Sequence, residues 1–240
     1  MNNEFRTGFL TSSQASRVIT TAPMKTYVKE VHAERVINRP ITTEIKTQPV
    51  KWGSLMEIML FNKLSTKWSI SHKETLTHKK YGSFWSGTPD FICEDAIAEA
   101  KCFQPKNFAL LSLCLLKKDI NLLKKEFPKE YWQCVSNCSI TGKNKAVLIT
   151  YMPYKDDLIS IIKQYCEDFD KMDSIGLLQS DYFFMEESRI ESLPYLPKDS
   201  KINDINSFEF IVPEEDFKLL ESRFILANEM LKEMESNNPL

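Results

Sequence analysis

The stretch from Gly87 to Lys101 limits what this chain can fold into more than any other. It begins Gly87-Thr88-Pro89-Asp90 and ends Glu99-Ala100-Lys101. Between them two short apolar runs, Phe91 to Cys93 and Ala96 to Ala98, flank the acidic pair Glu94-Asp95. Apolar runs bounded by turn residues predict a strand, a turn and a strand. With Glu94-Asp95 as a two-residue turn, position i pairs with position 189 − i, and Asp90 falls directly opposite Glu99. Directly opposed residues have Cβ atoms roughly 4.5–5.5 Å apart, where like charges destabilise the sheet unless something neutralises them. Strand side chains alternate faces, so Lys101 shares a face with Glu99, roughly 6.5–7 Å further along.

Two carboxylates converging on one spot suit a hard cation such as Mg²⁺, with Mn²⁺ as a substitute, held by one or two carboxylates and several waters. Such an ion acidifies a bound water, and a nearby ammonium can orient it. The trio is therefore suited to phosphodiester hydrolysis. The competing reading is an ordinary hairpin with charged residues on its wet face.

The rest of the chain supplies a large globular core. At 240 residues it is long enough for one substantial domain. The longest nearly apolar run, Phe108 to Leu116, ends at Lys117-Lys118 and is too short to span a bilayer. The first six residues hold no apolar signal core, so a cytoplasmic protein of a bacterium or a phage-infected host is expected. The six cysteines form no C-x-x-C pair and accompany no histidine cluster, which argues against structural zinc or a disulfide framework. Cys134 and Cys138, four apart, read as buried thiols on a helix. A formal net charge of −2 does not advertise a nucleic-acid binder, so any DNA contact must come from local basic patches.

In chain order, Thr11, Ser12 or Ser13 is expected to cap a helix whose apolar face holds Ala15, Val18 and Ile19. Its hydroxyl-rich start suits an anion, with Arg6 as a matching fork. Helices follow near 24–36 and from about Pro49 to Leu64, the second apolar on nearly every side with Glu57 set among Leu55, Met56, Ile58 and Met59. A carboxylate there is costly unless paired or metal-bound, or unless the helix turns Gly53, Ser54 and Glu57 toward water. His72 and His78 read as surface residues. One helix is expected from about Asn107 to Phe127, with Leu110, Leu111, Leu115, Leu122 and Leu123 inward. The pairs Lys117-Lys118 and Lys124-Lys125 would then stack on its outer face as a candidate contact to a DNA backbone. A helix from Lys129 to Thr141, ended by Gly142, precedes a central strand over Ala146–Tyr151. Beyond it the pattern gives a helix over 155–172, an edge strand around Tyr182 to Met185, a strand over Ser207–Val212 and a closing helix from Pro213 to about Glu235.

Taken in order, these pieces resemble the lambda-exonuclease and YqaJ-like viral recombinase branch of the PD-(D/E)XK nuclease superfamily. The resemblance runs from Arg6 to about Met152. It rests on Arg6-x-Gly8-x-x-Thr11-Ser12-Ser13, Gly53-Ser54-Leu55-Met56-Glu57, Thr88-Pro89-Asp90, Glu99-Ala100-Lys101-Cys102 and Tyr131-Trp132-Gln133. It implies an α/β, restriction-endonuclease-like fold of one domain, a mixed β-sheet flanked by helices. By the same resemblance Asp90 and Glu99 hold the metal, helped by the backbone carbonyl of Ala100, and Lys101 positions or activates the attacking water. Glu57 would serve the metal site through water, and Gln133 would orient water or support the lysine. Arg6 and Ser13 would contact the 5′-phosphate of the digested strand. Phe91 stands where many members have glycine and is expected to narrow the site. Ala100 replaces the usual β-branched residue.

The implied activity is a Mg²⁺-dependent exonuclease that digests double-stranded DNA from 5′ ends and leaves a 3′ overhang for a single-strand-annealing partner. Relatives can form rings around DNA, so a homo-oligomer is a further expectation. The alternatives are a structure- or sequence-specific endonuclease of the same fold, and a non-catalytic module that binds DNA ends.

Overall fold

The computed structural model describes residues 7–41, 48–64, 74–166 and 193–237. Two mixed sheets carry the architecture. The smaller joins β1 (Leu10–Thr11), β2 (Leu76–Thr77) and β3 (Trp85–Gly87) in the order β1-β3-β2. The larger joins β4 (Phe91–Ile92), β5 (Ala96–Lys101), β6 (Lys145–Tyr151) and β7 (Ile205–Ile211) in the order β4-β5-β6-β7. β5 and β6 run parallel, with Glu99 beside Leu148, while the outer pairs are antiparallel. A parallel neighbour requires a crossover, and helices α4 (Pro105–Leu116), α5 (Ile120–Glu126) and α6 (Pro128–Thr141) make it.

In the four-stranded sheet β6, paired on both edges, is buried from Ala146 to Tyr151 as expected of a central strand, whereas β7 at the edge buries alternate residues only. On one face Ile97, Ala146, Leu148, Phe208 and Phe210 pack with α1 (Ala15–Val18), α2 (Thr21–Ile37), α6 and α8 (Glu214–Asn237). On the other, Phe91, Ala98, Ala100, Val147, Ile149 and Tyr151 pack with Trp52, Met56, Met59 and Leu60 of α3 (Gln48–Leu64) and Leu158 of α7 (Lys155–Cys166). The result is the expected α/β mixed sheet between helical layers.

Local chemistry explains most element ends. Pro105 and Pro128 open α4 and α6, where a missing N–H costs nothing. Gly142 takes the left-handed conformation (φ 71°) that closes α6, and Lys143 N donates to Cys138 O at 3.0 Å. Cys134 and Cys138 are fully buried free thiols on that helix.

Several expectations are corrected. The single helix over 107–127 is two, because Lys118 turns left-handed (φ 51°) and the Asp119 carboxylate caps α5 by accepting from Asn121 N and Leu122 N. The break prevents the lysine pairs from stacking. Leu110 faces outward, and Lys124 turns inward to pair with buried Asp216 while lying over the Trp132 ring. Thr11 precedes a 3-10 turn, Ser12–Gln14, but makes no capping bond. Its hydroxyl meets Ser13 Oγ at 3.2 Å and its N–H donates to Tyr27 Oη at 2.8 Å. His78 is half-buried, stacked on Trp85 with ring centroids 4.6 Å apart. Arg6, His72 and the edge strand expected at Tyr182–Met185 lie outside the described residues, as does the end of the helix expected to reach 172.

Candidate active site

The hairpin forms in the expected register. Phe91 pairs with Ala98 and Ile92 with Ile97, and Cys93 N donates to Ala96 O at 2.9 Å across the Glu94-Asp95 turn. The next position outward sets Asp90 opposite Glu99. The Asp90 Oδ2 atom accepts the backbone N–H of Ala100 at 2.8 Å, which ties the end of one strand to the other.

Alternation along β5 sends Glu99 and Lys101 toward α6. Glu99 is fully buried, and its carboxylate is surrounded by donors. Gln133 Nε2 donates to Oε2 at 2.6 Å, Lys101 Nζ lies 3.5 Å from the same oxygen, and Asn137 Nδ2 donates to Oε1. Gln133 Oε1 in turn accepts from Lys101 Nζ at 3.0 Å. Gln133 therefore holds acid and amine at once. From the other side of the sheet, Glu57 on α3 reaches hydrogen-bonding range of the Asp90 carboxyl, and Asp90 that of Glu99.

The electrostatics follow from this crowding. Burial, and then the charge of Glu99, push the Asp90 carboxyl up to about 7. Burial also raises Glu99, against the pull of Lys101. For Lys101 burial disfavours the ammonium, but the charges of Glu99 and Asp90 outweigh it and the amine is held protonated. Carboxyl groups in mutual hydrogen-bond contact must share a proton or a cation. Among the described residues no three His, Cys, Asp or Glu side chains form a ready-made metal cage. The donor set nevertheless fits Mg²⁺, which accepts two carboxylates and completes its shell with water or backbone oxygen.

The structure thus brings together Glu57, Asp90, Glu99, Lys101 and Gln133. Ser13 is half-buried beside Thr11, whose hydroxyl it meets at 3.2 Å. Its neighbour Ser12 approaches the site. A Cβ on Gly87 would stand 2.1 Å from Ser12 Oγ and 2.3 Å from Asn137 Oδ1. Phe91 does not narrow the site, for it points to the opposite face and packs edge-on against Phe61 at 4.7 Å. Sequence reasoning missed Asn137. Its spacing of four from Gln133, which puts both on one helical face, was the available signal.

Similar folds occur in solved exonucleases. The alkaline exonuclease LHK-Exo of Laribacter hongkongensis superposes with a TM-score of 0.64 at 12% identity, covering 97% of this chain and 92% of that one. LHK-Exo in complex with dAMP gives 0.61 at 12% identity, over 98% and 95%. A phage-related exonuclease from Haemophilus somnus gives 0.61 at 12% identity, over 95% and 96%. The fold is the restriction-endonuclease-like fold of these structures. No curated protein is a significant match in sequence. The YqaJ-like viral recombinase domain matches residues 3–144, more than half of the chain, and the protein belongs to that family.

Proposed function

We propose that this protein is a Mg²⁺-dependent exonuclease that hydrolyses double-stranded DNA from 5′ ends. In phage-type recombination it would leave a 3′ overhang for a single-strand-annealing partner. The observation that carries the reading is the opposition of Asp90 and Glu99, with Lys101 and Gln133 locked to the same carboxylate. An assembly module that only binds DNA ends has no use for two acids held face to face.

Asp90 and Glu99 would hold the cation, completed by the Ala100 carbonyl, and Glu57 would reach it through water. A divalent ion in that place supplies an acidified water and charge for the phosphate oxygens. The protein's own groups do the positioning. Gln133 fixes the Lys101 amine, which would position or activate the attacking water beside the developing negative charge. Arg6 and Ser13 would contact the 5′-phosphate, and the closeness of Ser12, next to Ser13, to Gly87 and Asn137 supports placing Ser13 near the carboxylates. A ring of several copies around DNA would make digestion processive.

The test compares linear, nicked and closed-circular duplex in Mg²⁺ and in EDTA, with 5′-labelled and 3′-labelled ends. Loss of linear DNA from its 5′ ends in Mg²⁺ alone is expected. Cleavage of closed circles as fast as linear DNA would replace the exonuclease by an endonuclease.

A further inference from the structure

We propose that Asn137 is a positioning residue that aims one particular oxygen of Glu99, Oε1, at the metal. The inference rests on the metal-site reading above and adds a residue that the sequence motifs do not mark.

A carboxylate oxygen accepts about two hydrogen bonds through its lone pairs. Glu99 Oε2 already faces two donors, Gln133 Nε2 at 2.6 Å and Lys101 Nζ at 3.5 Å. Oε1 accepts from the amide of Asn137, and the contact of Glu99 with Asp90 is the one a cation between the two acids would replace. Oε1 is therefore the ligating atom, and Asn137 is the group that fixes its direction. Gln133 and Asn137, one helical turn apart on α6, grip the two oxygens separately. Without Asn137 the carboxylate would keep its grip at Oε2 but could turn about that contact.

The surroundings of Asn137 fit this role. It is fully buried, and its Oδ1 has no hydrogen-bond partner. A buried carbonyl without a hydrogen-bond partner carries a cost on the order of 1–3 kcal/mol. A residue kept for packing would not need an amide here, whereas one kept to donate a single bond from Nδ2 would. Its freedom is also removed from behind. Gly87 presses so close that an added Cβ would stand 2.3 Å from Oδ1, and the adjacent Ser136 Oγ is tied to Ser12 Oγ at 2.8 Å and to Trp85 Nε1 at 2.9 Å. The donor is held in one orientation.

The experiment measures Mg²⁺ and Mn²⁺ binding by calorimetry on the full chain without DNA, for wild type, Asn137→Leu and Asn137→Asp. Loss of a group that orients a ligating carboxylate typically weakens metal binding about 10–100-fold. Asn137→Leu is expected within that range, and Asn137→Asp at its upper end because it sets a second negative charge against Glu99. Unchanged affinity in a folded Asn137→Leu protein would overturn the role of Asn137 alone. Failure of the wild type to bind either ion would instead overturn the metal reading. Should both variants fail to fold, the wild type decides: with ¹⁵N-labelled asparagine, the Asn137 side-chain amide signal must move on Mg²⁺ saturation, and a stationary signal refutes the proposal.

Discussion

Gly87→Ala would test how tightly the site is built. Gly87 ends β3, three residues before Asp90, and a Cβ there would lie 2.1 Å from Ser12 Oγ, 2.3 Å from Asn137 Oδ1 and 2.8 Å from Ile140 Cδ1. All three are far inside contact distance, and all three belong to buried side chains with little room to swing aside. Forcing a methyl group into such packing costs about 1–3 kcal/mol. Displacing Ser12 also breaks its buried bond to Ser136, worth about another 1 kcal/mol. A total of about 2–4 kcal/mol follows, which for a chain of this size lowers Tm by roughly 5–15 °C. Asn137 must also swing from Glu99, so metal affinity should fall with stability. Thermal melting and metal calorimetry read the two effects. Adding Ser12→Ala removes the nearest obstacle and should return part of the Tm while leaving metal binding weak. A Gly87→Ala protein that melts within about 2 °C of wild type and binds metal normally would refute the reasoning, because it would mean the three side chains have slack.

Lys101→Ala should lower cleavage by at least about 10²-fold, the scale for losing a group that stabilises developing charge. DNA affinity measured in EDTA should stay near wild type, and equal turnover would remove Lys101 from the mechanism. Lys124→Met should lower Tm, because Lys124 compensates buried Asp216, whose other oxygen accepts the Tyr131 hydroxyl at 2.5 Å. The salt dependence of DNA binding should not change, and a shallower salt slope would restore Lys124 as a backbone contact. In metal-free protein Asp90 titrates near 7, against 3.8 for an ordinary aspartate, so the folded state holds the proton more tightly. That contribution is fully present below about pH 4 and is lost as pH rises through 7, on the order of 4 kcal/mol. Melting in EDTA between pH 5 and 8 should show the decline, Mg²⁺ should reverse it at the upper end, and a flat profile in EDTA would contradict the burial of Asp90.

What could be read from the sequence was whatever is fixed by local chemistry. A two-residue turn sets a hairpin register without outside help, so Asp90 and Glu99 could be placed opposite each other from spacing alone. Gly142 gave the end of α6 for the same reason. What escaped depends on contacts between distant segments. β1 is only two residues long, too short for alternation to show, and it forms because Leu10 and Thr11 can pair with Trp85 and Ser86. The break at Lys118 was hidden by leucines that continue across it, although Asp119 before Ile120 was a capping signal. Asn137 looked like one more polar helical residue until Glu99 was seen beneath it.

The alanine between Glu99 and Lys101 also has a physical account. Glu99 and Lys101 serve the α6 face, so Ala98 and Ala100 must serve the face covered by α3, where Trp52 and Met56 are fully buried. A Cβ on Gly53 of that helix would stand 3.3 Å from the Cys102 carbonyl, so α3 lies almost against the end of β5. Small residues on the strand and a glycine on the helix permit that approach, and a β-branched residue at position 100 would push the helix outward. The approach in turn brings Glu57, one turn beyond Gly53, within hydrogen-bonding range of Asp90. Ala100 is therefore matched to its partners: the side chain that the strand gives up on one face is the space by which the helix carboxylate reaches the acids on the other.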